Sequence, residues 1–205
     1  MTRVSFSCAV EGELDEAVAR RLVEHVGADL GLVYGKQGKP FLLDKGPAWN
    51  QAARRNPWLV LIDQDADARC PGAIVAEVLT RRAPLMCFRV AVREVEAWLM
   101  ADRANFAKAL QVPRQSIPAN PELELDPKAT VVALARRSQS ARITREMVPS
   151  ATGGRAIGPA YNSVLARFAI ESWSPEGAAL VSLSLARALK QLKVVAALAA
   201  SGSAE

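Results

Sequence analysis

The run Trp58-Leu59-Val60-Leu61-Ile62, closed by Asp63-Gln64-Asp65-Ala66-Asp67, decides the fold. Five apolar residues in succession read as a strand covered on both faces, as in the interior of a parallel sheet. Downstream, Pro71 to Arg82 reads as a helix, and Met86, Phe88, Val90 and Val92 alternate as a further strand. Upstream, a short helix is expected over 47–55, with Pro47 at its favoured first position. Leu30 to Tyr34 is a short strand, followed by a loop from Gly35 to Pro40. Leu14, Val18, Leu22 and Val26 recur every fourth residue, one face of a helix that Gly27 ends. Val4, Phe6, Cys8 and Val10 recur every second residue, as in a first strand. Strand and helix alternating in this way predict an α/β fold, a mostly parallel sheet flanked by helices.

After residue 94 the pattern changes to helix alone. Glu94 to Leu110 reads as helix broken near Asp102, and 111–127 holds four prolines and reads as a connection. Asp126 suits a helix cap with Pro127 as first residue. Helical patterns resume over 159–171 and 175–199, with Leu185, Leu189 and Leu192 on one stripe. The expected organisation is an α/β domain over 1–105 and a basic, helical C-terminal extension over 106–205 packed on it.

Charge follows the same division. The chain of 205 residues carries a net charge of +5. Residues 1–105 hold 14 basic and 14 acidic side chains, while 106–205 hold 12 basic and 7 acidic, so the second half carries the excess. Arginine outnumbers lysine 19 to 7, and arginine suits bidentate contact with phosphate oxygens. A basic half beside a neutral one points to a polyanion such as nucleic acid, with a solvated helical surface as the alternative. Three widely spaced cysteines (Cys8, Cys70, Cys87) form no disulfide framework, the usage of a reduced, cytoplasmic protein. The longest apolar tract, Val194 to Ala200, falls far short of the ~20 residues that span a bilayer, and the N-terminus does not read as a secretory signal. With one histidine, His25, and no cysteine pair, zinc sites and histidine-based triads are excluded.

The acids fall where an open parallel sheet binds its ligands, at the carboxyl ends of strands. Glu11 follows the first strand in Val10-Glu11-Gly12-Glu13, and Asp63 and Asp65 follow the apolar run. In an extended segment, residues two apart point to one side, so Asp63 and Asp65 are expected to converge. Gly12 is expected to let the backbone turn sharply. Carboxylates at ~4 Å repel by about 4 kcal/mol per pair at an effective dielectric of 20, and a hard divalent cation such as Mg2+ offsets that repulsion. The alternative is that Glu11 and Glu13 favour the next helix N-terminus while Asp63 to Asp67 form a solvated turn.

Val10-Glu11-Gly12 before an acidic helix start, then Leu61-Ile62-Asp63-Gln64-Asp65 at the end of a third strand, resembles the Toprim domain. That is the metal-binding fold of type IA and type II topoisomerases, bacterial primases and the overcoming-lysogenisation-defect nucleases. The segment Arg93-Glu94-Val95-Glu96-Ala97-Trp98-Leu99-Met100-Ala101-Asp102 is similar to a small bacterial Toprim-like family that looks related to mobile-element and phage-defence proteins. The resemblance implies that Glu11 is a metal ligand or general acid–base and that Asp63 and Asp65 bind Mg2+ or Mn2+. Asp67 and Glu96 are further candidate ligands, Glu96 supporting a second metal of the kind that serves phosphodiester hydrolysis. For Glu96 the alternative is a helix N-terminal acid.

Tyr34 and Tyr161 are the only tyrosines, and neither is placed for topoisomerase-like strand attack, so a water nucleophile fits better. Lys128, Arg136 and Arg155 are the candidate phosphate-binding residues, Arg155 because it precedes a helical pattern after Gly153-Gly154. Gly35-Lys36-Gln37-Gly38-Lys39 lacks the spacing of a P-loop and reads as a turn. The function expected is a Mg2+-dependent phosphodiesterase or nuclease acting on nucleic acid. Two alternatives stay open: a non-catalytic partner of an ATPase or effector protein, and a phosphatase or phosphotransferase that uses the DxD sequence.

Overall fold

Trp58 to Asp63 is a strand in which all six residues are buried, as its unbroken apolar run requires. It lies in a computed structural model that describes residues 3–150 and 154–202. The first part runs β1 (Ser5–Val10), α1 (Glu13–His25), β2 (Asp29–Gly35), α2 (Lys39–Ala52), β3 (Trp58–Asp63), α3 (Pro71–Val78) and β4 (Met86–Ala91). All pairings are parallel and the strand order is β2-β1-β3-β4. The α/β sheet flanked by helices, with a helical C-terminal extension, is therefore as expected. Because the chain leaves β1 toward β2 and returns on the other side to β3, a crevice opens between the carboxyl ends of β1 and β3.

Register sets what meets at that crevice. Val10 pairs with Leu61, so the residue after it sits beside the end of β3, and Asp63 pairs with Ala91. Alternation then divides the core. Phe6, Cys8, Val10, Leu59 and Leu61 face Leu14, Val18 and Leu22 of α1, while Ala9, Val60, Ile62 and Phe88 face Leu42 and Trp49 of α2 and Ile74 of α3. Trp49 and Trp58 stack with centroids 5.8 Å apart in that second layer.

The second part is α4 (Val95–Ala101), α5 (Arg103–Leu110), α6 (Pro127–Arg136), α7 (Ala141–Met147), α8 (Tyr161–Glu171), α9 (Pro175–Ala179) and α10 (Leu183–Gly202). These helices pile on the α1 side of the sheet and share its core: Trp98, Phe106, Phe168 and Trp173 are buried in the same cluster as Phe6 and Leu61. The helix breaks at Asp102 and Asp126 caps α6, both as expected; Asp102 also caps α5, and each acid accepts from a backbone N–H three residues on. No helix of the described residues is long and apolar enough to cross a membrane.

Several boundaries differ from expectation. α2 starts at Lys39, so Pro47 lies inside it rather than opening it. The helix persists because Leu42, Gly46 and Trp49 form one buried stripe, and bare Gly46 lets α2 approach α3: a Cβ there would lie 2.5 Å from Val78 Cγ1. α3 ends at Val78, short of Arg82, because Asn50 captures the following loop, accepting from Ala83 N at 2.9 Å and donating to Arg81 O at 2.8 Å. The helix expected over 175–199 is two helices. Glu122, far upstream, accepts from Ser182 Oγ at 2.6 Å and Ser184 N at 2.9 Å and so starts α10 afresh. α7, capped by Ser140 on Ile143 N, has no counterpart in the expected elements. The Thr152-Gly153 part of the loop before α8 lies outside the described residues.

Candidate functional site

Carboxylates stitch three strand ends together. Glu11 Oε1 accepts from the backbone N–H of Asp63 at 2.9 Å, which ties the end of β1 to the end of β3. Asp63, nearly buried, accepts through Oδ1 from Val95 N at 3.0 Å and so ties β3 to the start of α4. The chain bends at Glu11 and Gly12 as expected, but Gly12 is extended (φ −152°), a conformation open to any residue, so the bend does not require glycine's freedom. What its missing side chain does is leave room: a Cβ would lie 3.3 Å from Asp15 Oδ2.

Asp15 and Glu96 complete the group. Asp15, in the first turn of α1, is 7% exposed, and its Oδ1 is buried without a hydrogen-bond partner. Glu96, in the first turn of α4, is 2% exposed and accepts from the Tyr161 hydroxyl at 3.2 Å. Glu11, Asp15, Asp63, Asp65, Glu96 and Lys128 all line one cavity of 370 Å³. Lys128 is its cation. Glu94 accepts from both its backbone N (2.9 Å) and its Nζ (3.4 Å), and that ammonium also lies 3.9 Å from Glu96.

The electrostatics follow from acids crowded out of water. Asp63 is pushed well above the carboxylate range by burial, then by Asp15, Glu96, Glu11 and Asp65. Asp15 is pushed up to about 7, by burial first and then by Glu11 and Glu96. Burial also raises Glu11 and Glu96, against the Asp63 N–H bond in the first and the Lys128 charge in the second. Burial opposes the charge on Lys128, but Glu96, Glu94 and Asp63 outweigh it and hold its pKa above the ordinary value.

The remaining expected residues separate into those at the rim and those away from it. β3 stops at Asp63 and Asp65 takes a left-handed backbone (φ +56°), so the two do not share a side of one extended segment. Asp65 reaches the cavity rim through the turn, half-exposed, with Lys39 donating to it at 3.1 Å and to Gln64 O at 2.9 Å. Asp67 does not line the cavity. Arg69 grips its carboxylate and holds it well below the usual range. Arg136 is exposed at the far end of α6, about 12 Å along the helix axis from Lys128. Arg155 is exposed and lines two adjoining hollows, of 440 and 460 Å³, which share Ile157 with the wall of the acid cavity.

Sequence reasoning missed Asp15, Glu94 and Tyr161, and it set Lys39 aside in a turn. Asp15 did carry a signal: with Ala19 and Val23 it forms a buried row spaced by four on α1, and a charge on a buried row calls for a partner. Glu94 and Tyr161 gave none, since each acts through a partner more than 30 residues away.

Among the described residues, no group of three or more His, Cys, Asp or Glu side chains stands ready to hold one metal ion. Glu11, Asp63 and Glu96 each have an oxygen engaged by an N–H or O–H donor. No family model, curated protein or solved structure is found to match this chain.

Proposed function

We propose that this chain is a Toprim-like, divalent-metal-dependent phosphodiesterase acting on nucleic acid, of the kind used in bacterial phage defence or mobile-element biology. The observation that carries the reading is the gathering of Glu11, Asp15, Asp63 and Glu96, from three separate strand ends, around one cavity with Lys128. The donor set fits Mg2+ or Mn2+: it is made of carboxylate oxygens alone, and the orphaned Oδ1 of Asp15 needs a cation or a proton. Glu11, Asp15, Asp63 and Glu96 are the residues that would hold the ion. Bound there, a divalent cation polarises a phosphate oxygen and lowers the pKa of water.

The chain's own groups do the rest. Lys128, steadied by Glu94, offers its ammonium to a phosphate oxygen as negative charge builds on it. Asp15, whose carboxyl is pushed up to about 7 without a cation, is the group that would exchange a proton for the bound ion. Tyr161 orients Glu96 by donating to its Oε1. Arg155 grips the backbone next to the scissile phosphate without reading bases.

The test is cleavage of plasmid, linear duplex, single-stranded DNA and RNA by the purified chain in Mg2+, Mn2+ or chelator. Cation-dependent cleavage should fall at least 100-fold in Glu11→Gln, Asp63→Asn and Lys128→Met. No cleavage of any substrate, together with no rise in unfolding temperature on adding either cation, would overturn the reading.

One observation favours the non-catalytic alternative. Leu123, Leu125, Leu180 and Leu183 are exposed, and the bonds that Ser182 and Ser184 donate to Glu122 hold their two segments near each other, which suits contact with a partner protein.

A further inference from the structure

The end of the sheet opposite the carboxylates carries a feature that the proposed function leaves unused. The segments leading into β3 and β4 are both rich in arginine, with Arg54 and Arg55 after α2 and Arg81 and Arg82 after α3. Arg54, Arg81 and Arg82 line one surface hollow of 310 Å³, closed by Ala83 and Pro84. Among the described residues, no carboxylate lines it. The arginines that are ion-paired among the described residues, Arg3, Arg20, Arg69 and Arg142, lie elsewhere. On β4, which follows this loop, Arg89 Nε is buried without a hydrogen-bond partner.

The hollow is also built in advance of any ligand. Asn50 near the end of α2 holds the arginine loop at Arg81 O (2.8 Å) and Ala83 N (2.9 Å). Ala53 O accepts from Leu85 N at 3.2 Å, and Ala83 O from Met86 N at 3.1 Å. Both walls are thereby tied to the end of α2 that carries Arg54. Like charges held together by the backbone, with no acid between them, are disposed to receive an anion.

We propose that this hollow binds a compact polyphosphate, a diphosphate or triphosphate group that is either free or the tail of a nucleotide. Guanidinium forks match phosphate oxygens bidentately, and three of them offset most of the charge of such a group. The volume stands at the small end of ligand sites, which start at about 300 Å³. No aromatic side chain lines the hollow to stack a base, so the phosphate chain is what it recognises. The length of β3, roughly 20 Å for six residues, separates it from the carboxylates, and the inference is independent of the nuclease reading.

The test is titration calorimetry of the full chain with sodium tripolyphosphate, in chelator at fixed ionic strength, with competition by ATP and by a short DNA duplex. One tripolyphosphate should bind per chain. The double variant Arg81→Gln/Arg82→Gln should lose at least tenfold in affinity, and Arg54→Gln several-fold, with unliganded unfolding temperatures unchanged. Arg114→Gln, an exposed arginine elsewhere, should leave affinity as it was. Competition by ATP assigns the source to a nucleotide tail, and its absence assigns free polyphosphate. The inference is overturned if no saturable binding occurs, if Arg114→Gln costs as much as the double variant, or if the double variant loses duplex binding but keeps tripolyphosphate.

Discussion

Replacing Asp15 with asparagine should stabilise the metal-free protein, and the gain should shrink as the solution is acidified. Asp15 is an acid whose folded pKa, pushed up to about 7, lies above its ordinary value of 3.8. Between those values the folded state binds more protons at this site than the unfolded state, so stability falls as pH rises and then levels off above the folded value. The gap of about 3 pH units corresponds to roughly 4 kcal/mol at pH 8, falling to roughly 1.6 kcal/mol at pH 5. Glu11 and Glu96 share part of this repulsion, so neutralising Asp15 also relieves them. An amide of the same shape escapes the cost of burying charge at this position. For a chain of this length, 1 kcal/mol moves the unfolding temperature by about 2–4 °C.

The assay is thermal unfolding followed by circular dichroism, in chelator, for wild type and Asp15→Asn from pH 5 to pH 8. The variant should unfold about 8–16 °C above wild type at pH 8, with the difference more than halved at pH 5. Adding millimolar Mg2+ at pH 8 should raise the wild type more than the variant, because only the wild type keeps all four carboxylates to bind it. A variant no more stable than wild type at pH 8, or a gain that does not depend on pH, would refute the claim that burial and neighbouring acids outweigh the backbone N–H groups facing Asp15.

Two further outcomes test how the frame holds the site. Gly35→Ala should destabilise by roughly 2–4 kcal/mol in chemical denaturation, because Gly35 has φ +92° and a Cβ there would lie 2.3 Å from Val10 O, next to Glu11. Ser184→Ala should cost about 1–3 kcal/mol, read as a lower denaturant midpoint at unchanged slope, because the buried Trp98 Nε1 loses its acceptor at 2.7 Å and Glu122 loses a donor at 2.5 Å.

Local pattern carried most of the fold into the sequence. The β3 run, the period of two in β1 and β4 and the period of four in α1 are each read from neighbours within a few residues, and each element lies where the pattern put it. Glu11 and Asp63 were legible because a strand's end is legible and the parallel topology brings such ends together. The misread helix boundaries came from contacts distant in sequence, whereas Asp67 was taken by Arg69 two residues on. Pro47 looked like a helix start until Gly46 met Val78, and 175–199 looked unbroken until Glu122 reached Ser182. Asp65 looked extended, but its turn is fixed by a bond from its own N–H to Arg93 O and by the charge of Lys39.

The helical half closes the site, and this bears on what its charge is for. Glu96 is almost wholly buried, and the groups that make its burial tolerable, the Tyr161 hydroxyl and the Lys128 ammonium, both come from after residue 127. A buried carboxylate left without such partners is too costly to persist, so docking of α6 and α8 and burial of the acid depend on each other. Their docking also fills the α1 side of the core, where Trp98 and Tyr161 lie beside Val10 and Leu61. The basic excess of this half is divided by the same geometry. Arg136 points away at the end of α6, and Arg142 is taken by Glu146. Lys128, Arg155 and Arg145 instead mark a sequence of hollows that runs outward from the carboxylates past Ile157. On the proposed reading, that is the path along which a chain of phosphates would reach the carboxylates.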